Sequence, residues 1–166
     1  MKKIIMALLS VALVNATSAQ TKKFSNKNID KIIRGLTSKV EGKNGQWRLS
    51  YQNRTLVILT DEKHNRMRIM SPITTVDKLT PEIMAIMLAA HFHRALDVKY
   101  AISNGYLWSL YMHPLAELDR HQFIDALNQV VALANNFGST YASSNLSFGE
   151  QQNPQKAEKK PSEDDI

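Results

Sequence analysis

The chain has 166 residues, a formal net charge of +6 and no cysteine. A single domain of this length buries enough apolar surface to fold without cross-links. The lack of cysteine excludes disulfide bonds, thiolate metal sites and a cysteine nucleophile. The positive charge either favours an anionic partner, such as a membrane surface, an acidic polymer or an acidic protein, or serves solubility alone.

The first segment has the three-part layout of a bacterial secretory signal peptide. Lys2 and Lys3 precede an apolar run over residues 4–14, and small residues follow at positions 16–19. The run is eleven residues long, which is short of the roughly 20 residues that cross a bilayer as a helix. We therefore expect residues 1–19 to be removed and the rest to be periplasmic or secreted, without a transmembrane segment.

Charge is unevenly distributed along the chain. Loss of residues 1–19 removes two lysines and no acid, so the net charge falls from +6 to +4. Residues 150–166 carry mostly polar and charged side chains, which predicts a disordered tail. The predicted single domain, residues 20–149, then carries +6. The export signal and the lack of an aromatic and basic recognition motif argue against a nucleic-acid partner.

The chain between residues 24 and 71 predicts one helix and three strands. Ser25 can cap a helix over residues 24–40, in which apolar side chains recur at helical spacing. Apolar runs predict strands over residues 46–51, 54–60 and 66–71, joined by short polar turns. The cationic side chains of this meander are Arg48, Arg54, Lys63, Arg66 and Arg68. They form either a weak anion-binding patch or a solvated surface.

A second predicted helix is apolar on almost every side. Thr80 is a candidate N-cap, and Pro81 suits the first helical position. Residues 83–96 contain few polar side chains, which is typical of a helix buried on most sides. Either this helix lies between the sheet and the other helices, or a second chain or a ligand covers part of it. In the second case Met84 and Met87 are candidate partner-binding residues.

Asn104-Gly105 predicts a type I′ hairpin between two strands. A two-residue turn pairs Ser103 with Tyr106 and Ile102 with Leu107, and this register fixes which side chains share a face. The second strand then places four apolar side chains on one face: Tyr106, Trp108, Leu110 and Met112. That face is too apolar to be only solvated, so these residues are candidates for contact with a partner or with a second copy.

A third helix follows the strand end at His113-Pro114. Asp119 and Gln122 predict a capping box, an apolar stripe covers residues 123–137, and Gly138 suits the position after the helix. Together the elements predict an α+β fold with one antiparallel sheet backed by helices, in the order α-β-β-β-α-β-β-α.

Four stretches of the sequence carry a resemblance to a known family: Leu96-Asp97, residues 104–108, His113-Pro114-Leu115 with Leu118, and residues 123–138. With these stretches the chain resembles the YbjN-type bacterial family, whose members are described as sensory transduction regulators. That family is similar in fold to the type III secretion chaperones of the Tir-chaperone kind. The resemblance covers about residues 26–141 and implies a small dimeric protein that binds other polypeptides through its sheet and helices. Secretion chaperones are typically cytosolic and acidic, whereas this chain is basic and carries an export signal.

The titratable residues match no known catalytic or metal-binding motif. His91 and His93 are two positions apart on a helix, about 200° around its axis, so they cannot both bind one metal ion. Asp97 and Asp119 lie close to the hairpin in the sequence, but Asp119 serves as a cap. We therefore expect no enzyme activity, no cofactor and no metal. A cryptic hydrolase would have to depend on His113 or Asp97.

The sequence favours an exported, non-enzymatic protein-binding or chaperone-like module, with a homodimer as the expected assembly. The alternative function is a periplasmic carrier of an apolar small molecule or lipid, with Met84, Met87 and Phe92 lining a cavity. The two hypotheses differ in where the apolar surface lies. The first requires an open apolar face, and the second requires an enclosed space.

Overall fold

The computed structural model describes residues 23–146. The helices of this part are α1 (Asn26–Leu36), α2 (Pro81–His93) and α3 (Arg120–Asn135), with a 3-10 turn at Val76–Lys78 before α2. The strands are β1 (Val40–Lys43), β2 (Gln46–Tyr51), β3 (Arg54–Asp61), β4 (Arg66–Thr75), β5 (Lys99–Ser103) and β6 (Tyr106–His113). Within residues 23–146 no helix has the length and apolar character needed to cross a membrane. The predicted signal peptide (1–19) and the predicted tail (150–166) lie outside the described residues.

All six described strands form one antiparallel sheet in the order β1-β2-β3-β4-β6-β5. The spatial order follows the chain except that β6 lies between β4 and β5, because α2 and the segment after it carry the chain to the outer edge. The predicted fold class, an α+β fold with one antiparallel sheet backed by helices, is confirmed.

The β5–β6 hairpin has the register that its turn residues predict. Ser103 is opposite Tyr106 and Ile102 is opposite Leu107. Asn104 and Gly105 have φ angles of 51° and 76°, as a type I′ turn requires. This register fixes the two faces of the hairpin.

The first helix is shorter than the sequence predicts, and an additional strand follows it. α1 ends at Leu36 instead of residue 40, and β1 pairs with β2. Asn44 (φ 54°) and Gly45 (φ 93°) form the two-residue turn between them, which is the same signal as Asn104-Gly105. The prediction was wrong here because the glycines within residues 41–45 were interpreted only as the end of the helix. The described sheet therefore has six strands and not five.

α1 and α3 contribute the apolar side chains that fill the core against one face of the sheet. Phe24, just before α1, lies against Phe123 of α3 with ring centroids 5.7 Å apart. Ser109 Oγ of β6 donates a hydrogen bond to the carbonyl oxygen of Val130 in α3 at 2.9 Å. The fully buried side chains of this core include Ile29, Ile33, Leu49, Leu56, Ile58, Ile69, Leu107 and Leu127.

α2 and α3 begin at the predicted caps. The N–H of Ile83 donates to the hydroxyl oxygen of Thr80 at 3.3 Å. In α3 the N–H of Gln122 donates to Asp119 Oδ1 at 2.8 Å, and the N–H of Asp119 donates to Gln122 Oε1 at 2.9 Å, which completes the predicted capping box. α2 ends at His93, three residues earlier than predicted.

Candidate protein-binding surfaces

Strand β6 alternates between a covered and an uncovered face. Residues 107, 109 and 111 are at most 5% exposed, because α3 packs on this side of β4 and β6. On the opposite side Tyr106 and Met112 are 47% and 56% exposed, and Trp108 and Leu110 are half-buried. The four residues predicted to share one apolar face therefore do so, and it is the face away from α3.

The neighbouring strands extend this apolar surface across the sheet. Val57 of β3 is opposite Met70 of β4, which is opposite Leu110 of β6. In the next row Leu59 is opposite Arg68, which is opposite Met112. Since directly opposed residues share a face, these side chains form one continuous surface. We call the following set the open face: Val57, Leu59, Met70, Tyr106, Trp108, Leu110 and Met112.

Three of the predicted cationic residues lie on the same side of the sheet as the open face. Arg48 is opposite Val57, and Arg66 and Arg68 alternate along β4 with buried side chains. All three arginines are exposed. Arg66 donates to the carbonyl oxygen of Asn65 at 3.2 Å. Among residues 23–146, Arg48 and Arg68 form no ion pair and no hydrogen bond through their side chains, so their charges are available to a ligand.

The structure separates Arg54 from this group, which corrects the predicted patch. Arg54 shares the side of β3 that faces the helices, and its guanidinium donates to the carbonyl oxygen of Ala134 at 2.9 Å and to Asn135 Oδ1 at 2.7 Å. These acceptors lie at the C-terminal end of α3, where the helix dipole favours a cation. Arg54 therefore attaches α3 to the sheet, and Lys63 lies apart in the exposed turn after β3.

α2 does not expose the two methionines that its sequence predicts as partner-binding residues. Met87 is 5% exposed within the core, and Met84 is half-buried against it. Leu88 and Phe92 are 69% and 77% exposed, and they lie one helical turn apart on the same side. Ile86 is 48% exposed, but it lies about 200° around the helix axis from Leu88 and so on another side of α2. We call Leu88 and Phe92 the α2 patch. A helix that is apolar on almost every side gave no signal for which side the core would cover.

The residues proposed to line a carrier cavity do not enclose a common space. Met87 is buried in the core, whereas Phe92 is 77% exposed. A surface recess of about 370 Å³ adjoins the C-terminal half of α2, but its walls come from other residues of α2 and from residues 139–141. The geometry thus gives the carrier hypothesis no specific support.

His91 connects α2 to the edge strand of the sheet. Its Nε2 accepts a hydrogen bond from the N–H of Tyr100 at 2.8 Å, and the two rings stack with centroids 5.6 Å apart. Burial, with a smaller contribution from the Lys99 charge, lowers the pKa of His91. Among the described residues, no group of three His, Asp or Glu side chains is arranged to hold a metal ion.

The two residues considered for a hydrolase have structural partners. His113 Nδ1 is 2.7 Å from the carbonyl oxygen of Pro114, and its ring stacks on Tyr111. The N–H of Asp97 donates to Gln129 Oε1 at 3.1 Å. These contacts hold the end of β6 and the connection from α2 to β5, and they do not form a nucleophile–base pair.

Comparison with known proteins identifies the fold and not a sequence family. No profile of a known protein family matches the sequence, and no curated protein sequence matches it. A chain of the HopA1-SchA chaperone-effector complex is similar, with a TM-score of 0.52 and 11% identity over 65% of this chain and 88% of that chain. A chain of the complex between the Yersinia pestis type III secretion chaperone SycH and a stable fragment of YscM2 has a TM-score of 0.53 and 8% identity, over 68% and 98% of the two chains. At these identities the likeness shows the fold alone: residues 23–146 have the α+β fold of secretion chaperones.

Proposed function

We propose that this chain is a non-enzymatic, chaperone-like module that binds another polypeptide on its open face. The observation that carries the proposal is a continuous apolar surface on the side of the sheet away from α3, formed by three adjacent strands. Isolated apolar residues are normal on a protein surface, but a contiguous apolar patch bordered by polar residues is typical of an interaction site. The similarity to structures of chaperone complexes supports the same proposal.

We further propose that the protein acts in the periplasm or outside the cell, as a homodimer. The export proposal rests on the signal-peptide pattern of residues 1–19. The dimer proposal rests on the α2 patch, because its two apolar side chains, Leu88 and Phe92, are 69% and 77% exposed. Exposed side chains of this size at one helix surface are suited to packing against the same surface of a second copy. Membership of the YbjN-type family stays a prediction from the sequence.

The proposed function is tested by placing a charge in the centre of the open face. A tagged chain lacking residues 1–19 is used to capture proteins from a periplasmic extract of its host. Leu110→Asp should abolish this capture, because burying an unpaired carboxylate opposes complex formation. The far-ultraviolet circular dichroism spectrum should be unchanged, since Leu110 is only half-buried in the free chain.

Ile102→Asp is the matched control. Ile102 is also apolar and 53% exposed, but it is opposite Leu107 and so lies on the other side of the hairpin. This variant should capture the same proteins as the wild type. Unfolding of Leu110→Asp would show that Leu110 is an ordinary core residue, and unchanged capture by that variant would contradict the proposal.

A further inference from the structure

The open face contains cationic charge within its apolar surface. Arg68 lies between Leu59 and Met112 in one cross-strand row, and Arg48 adjoins Val57 in another. Neither guanidinium has an ion-pair partner among residues 23–146. Glu41 is opposite Arg48 across β1 and β2 but forms no ion pair with it. An apolar partner would therefore bury the two arginines with little compensation, which is costly. The surface is therefore suited to a ligand that supplies both apolar groups and anions.

The register sets the backbone separation of the two arginines. Arg48, Val57 and Met70 lie in one row across β2, β3 and β4, which spans about 10 Å at the usual strand spacing. Arg68 is two residues along β4 from Met70, a further displacement of about 7 Å. The Cα atoms of the two arginines are thus about 12 Å apart, with apolar side chains between them.

Charge argues against a second copy as the occupant of this face. A two-fold contact would place the two arginines against the same surface of the partner. That surface offers Glu41 at its outer strand and Asp61, whose carboxylate is already held by His64 at 2.6 Å. Few anions would therefore meet the cations of the opposite copy, and like charges would repel.

The shape of the open face is suited to a polypeptide better than to a membrane surface. Tyr106 and Met112, on β6, are 47% and 56% exposed, but the rest of the open face is half-buried, and the exposed arginines lie beside it. Insertion into a bilayer requires apolar side chains that project beyond the polar ones. Apolar side chains lying in the plane of a sheet are instead suited to packing against side chains of a polypeptide.

We infer that the open face binds an acidic, amphipathic segment of another protein, with two carboxylates spaced to pair with Arg48 and Arg68, whose Cα atoms are about 12 Å apart. Apolar side chains of the same segment pack on Met70 and Leu110. The inference rests on the proposed function and adds the chemical class of the partner. Bidentate guanidinium–carboxylate pairs would set the register of the segment on the sheet.

The test uses the chain without residues 1–19 and two pairs of synthetic peptides. One peptide is helical, with leucines on one face and two glutamates seven positions apart, about 10.5 Å along the axis. The other is extended, with its two glutamates four positions apart, about 13 Å. Each has a counterpart in which lysine replaces glutamate. Binding is measured by calorimetry and by the emission of Trp108, since the second tryptophan, Trp47, is buried.

We expect at least one glutamate peptide to bind and its lysine counterpart to bind at least about tenfold more weakly. The double variant Arg48→Glu with Arg68→Glu should weaken binding of the glutamate peptide by at least about tenfold and favour the lysine peptide. Lys31→Glu with Arg120→Glu makes the same change in net charge at exposed positions of α1 and α3. This control should leave the affinity within about twofold, since only long-range charge is altered.

Three results would overturn the inference. The first is failure of all four peptides, or equal binding of the glutamate and lysine peptides. The second is binding to vesicles of phosphatidylglycerol and phosphatidylcholine by a chain that binds no peptide, which would assign the face to a lipid surface. The third is self-association that the Arg48→Glu, Arg68→Glu variant loses, which would assign it to a second copy. Capture that Leu110→Asp abolishes, together with failure of the peptides, would leave the proposed function standing and the inference rejected.

Discussion

At the scale of single residues, the protonation state of His91 controls a hydrogen bond that attaches α2 to strand β5. The neutral ring accepts the N–H of Tyr100 at the sheet edge, whereas a protonated ring has no acceptor to offer. Lys99 adds positive charge nearby, and its ammonium donates to the carbonyl oxygens of His91, Ala95 and Leu96. Protonation therefore removes a hydrogen bond and places a second cation beside the first.

The consequence is a loss of stability on acidification. Burial holds the folded-state pKa of His91 below its ordinary value of 6.5. The neutral ring therefore stabilises the fold fully above about pH 6.5, and this contribution is lost as the pH falls through the folded pKa. Between about pH 7 and pH 5, the free energy of unfolding of His91→Gln should fall less than that of the wild type. The reason is that an amide oxygen can accept the N–H of Tyr100 without titrating. Urea denaturation at each pH measures this. His121→Gln, at an exposed position of α3, should follow the wild type; equal slopes for His91→Gln and the wild type would contradict the prediction.

The same scale shows what sequence reasoning can assign to a side chain. That His91 and His93 cannot bind one metal ion together follows from helical geometry alone. It grouped Arg54 with the other arginines because they are close in the sequence. Alternation along β3 instead turns Arg54 towards the end of α3. Its hydrogen-bond partners there lie 80 and 81 positions later in the sequence, so local sequence could not reveal this contact.

At the scale of elements, turn chemistry decided what could be predicted. Asn104-Gly105 gave the register of β5 and β6, and the register gave the open face. Asn44-Gly45 carries the same information, but the short segment before it, residues 40–43, has no apolar alternation and did not suggest a strand. β1 forms because it can pair with the free edge of β2. This pairing depends on the sheet and not on the local sequence of β1. The sequence also could not predict which side of α2 faces the core, since apolar residues surround the helix axis.

Two glycines, Gly42 in strand β1 and Gly35 in helix α1, predict opposite effects of an added methyl group on stability. Gly42 has a φ of +88°, and a Cβ there would collide with the backbone carbonyl oxygen of Gln46. Gly42→Ala should therefore lower the free energy of unfolding by about 1–3 kcal/mol. Gly35→Ala, at a helical position with no atom within 4 Å of the added Cβ, should raise it by up to about 1 kcal/mol. Urea denaturation of both variants measures the signs, and the same sign for both would contradict this account.

At the scale of the whole molecule, the chain presents two apolar surfaces on different elements. The open face belongs to β3, β4 and β6, and the α2 patch belongs to a helix that contacts β5 at the sheet edge. Exposed apolar side chains in two separate places indicate two separate interactions. If one surface binds a partner segment and the other a second copy, changes at the two should act independently.

Independence gives the last prediction. The double variant Leu88→Ser with Phe92→Ser should be monomeric in sedimentation velocity, because it removes both exposed apolar side chains of the α2 patch. It should still capture the proteins that the wild type captures. Leu110→Asp should show the opposite behaviour, with self-association retained and capture lost.

Ile102→Ser, at an exposed apolar position outside both surfaces, should change neither measurement. Loss of capture by the monomeric α2 variant would contradict independence, and it would mean that the partner contacts two copies of the chain at once. The open face of a single copy would then be only part of the binding site. Simultaneous contact with two copies would raise the affinity of the partner through avidity. Retained capture instead assigns the partner to the sheet of one copy.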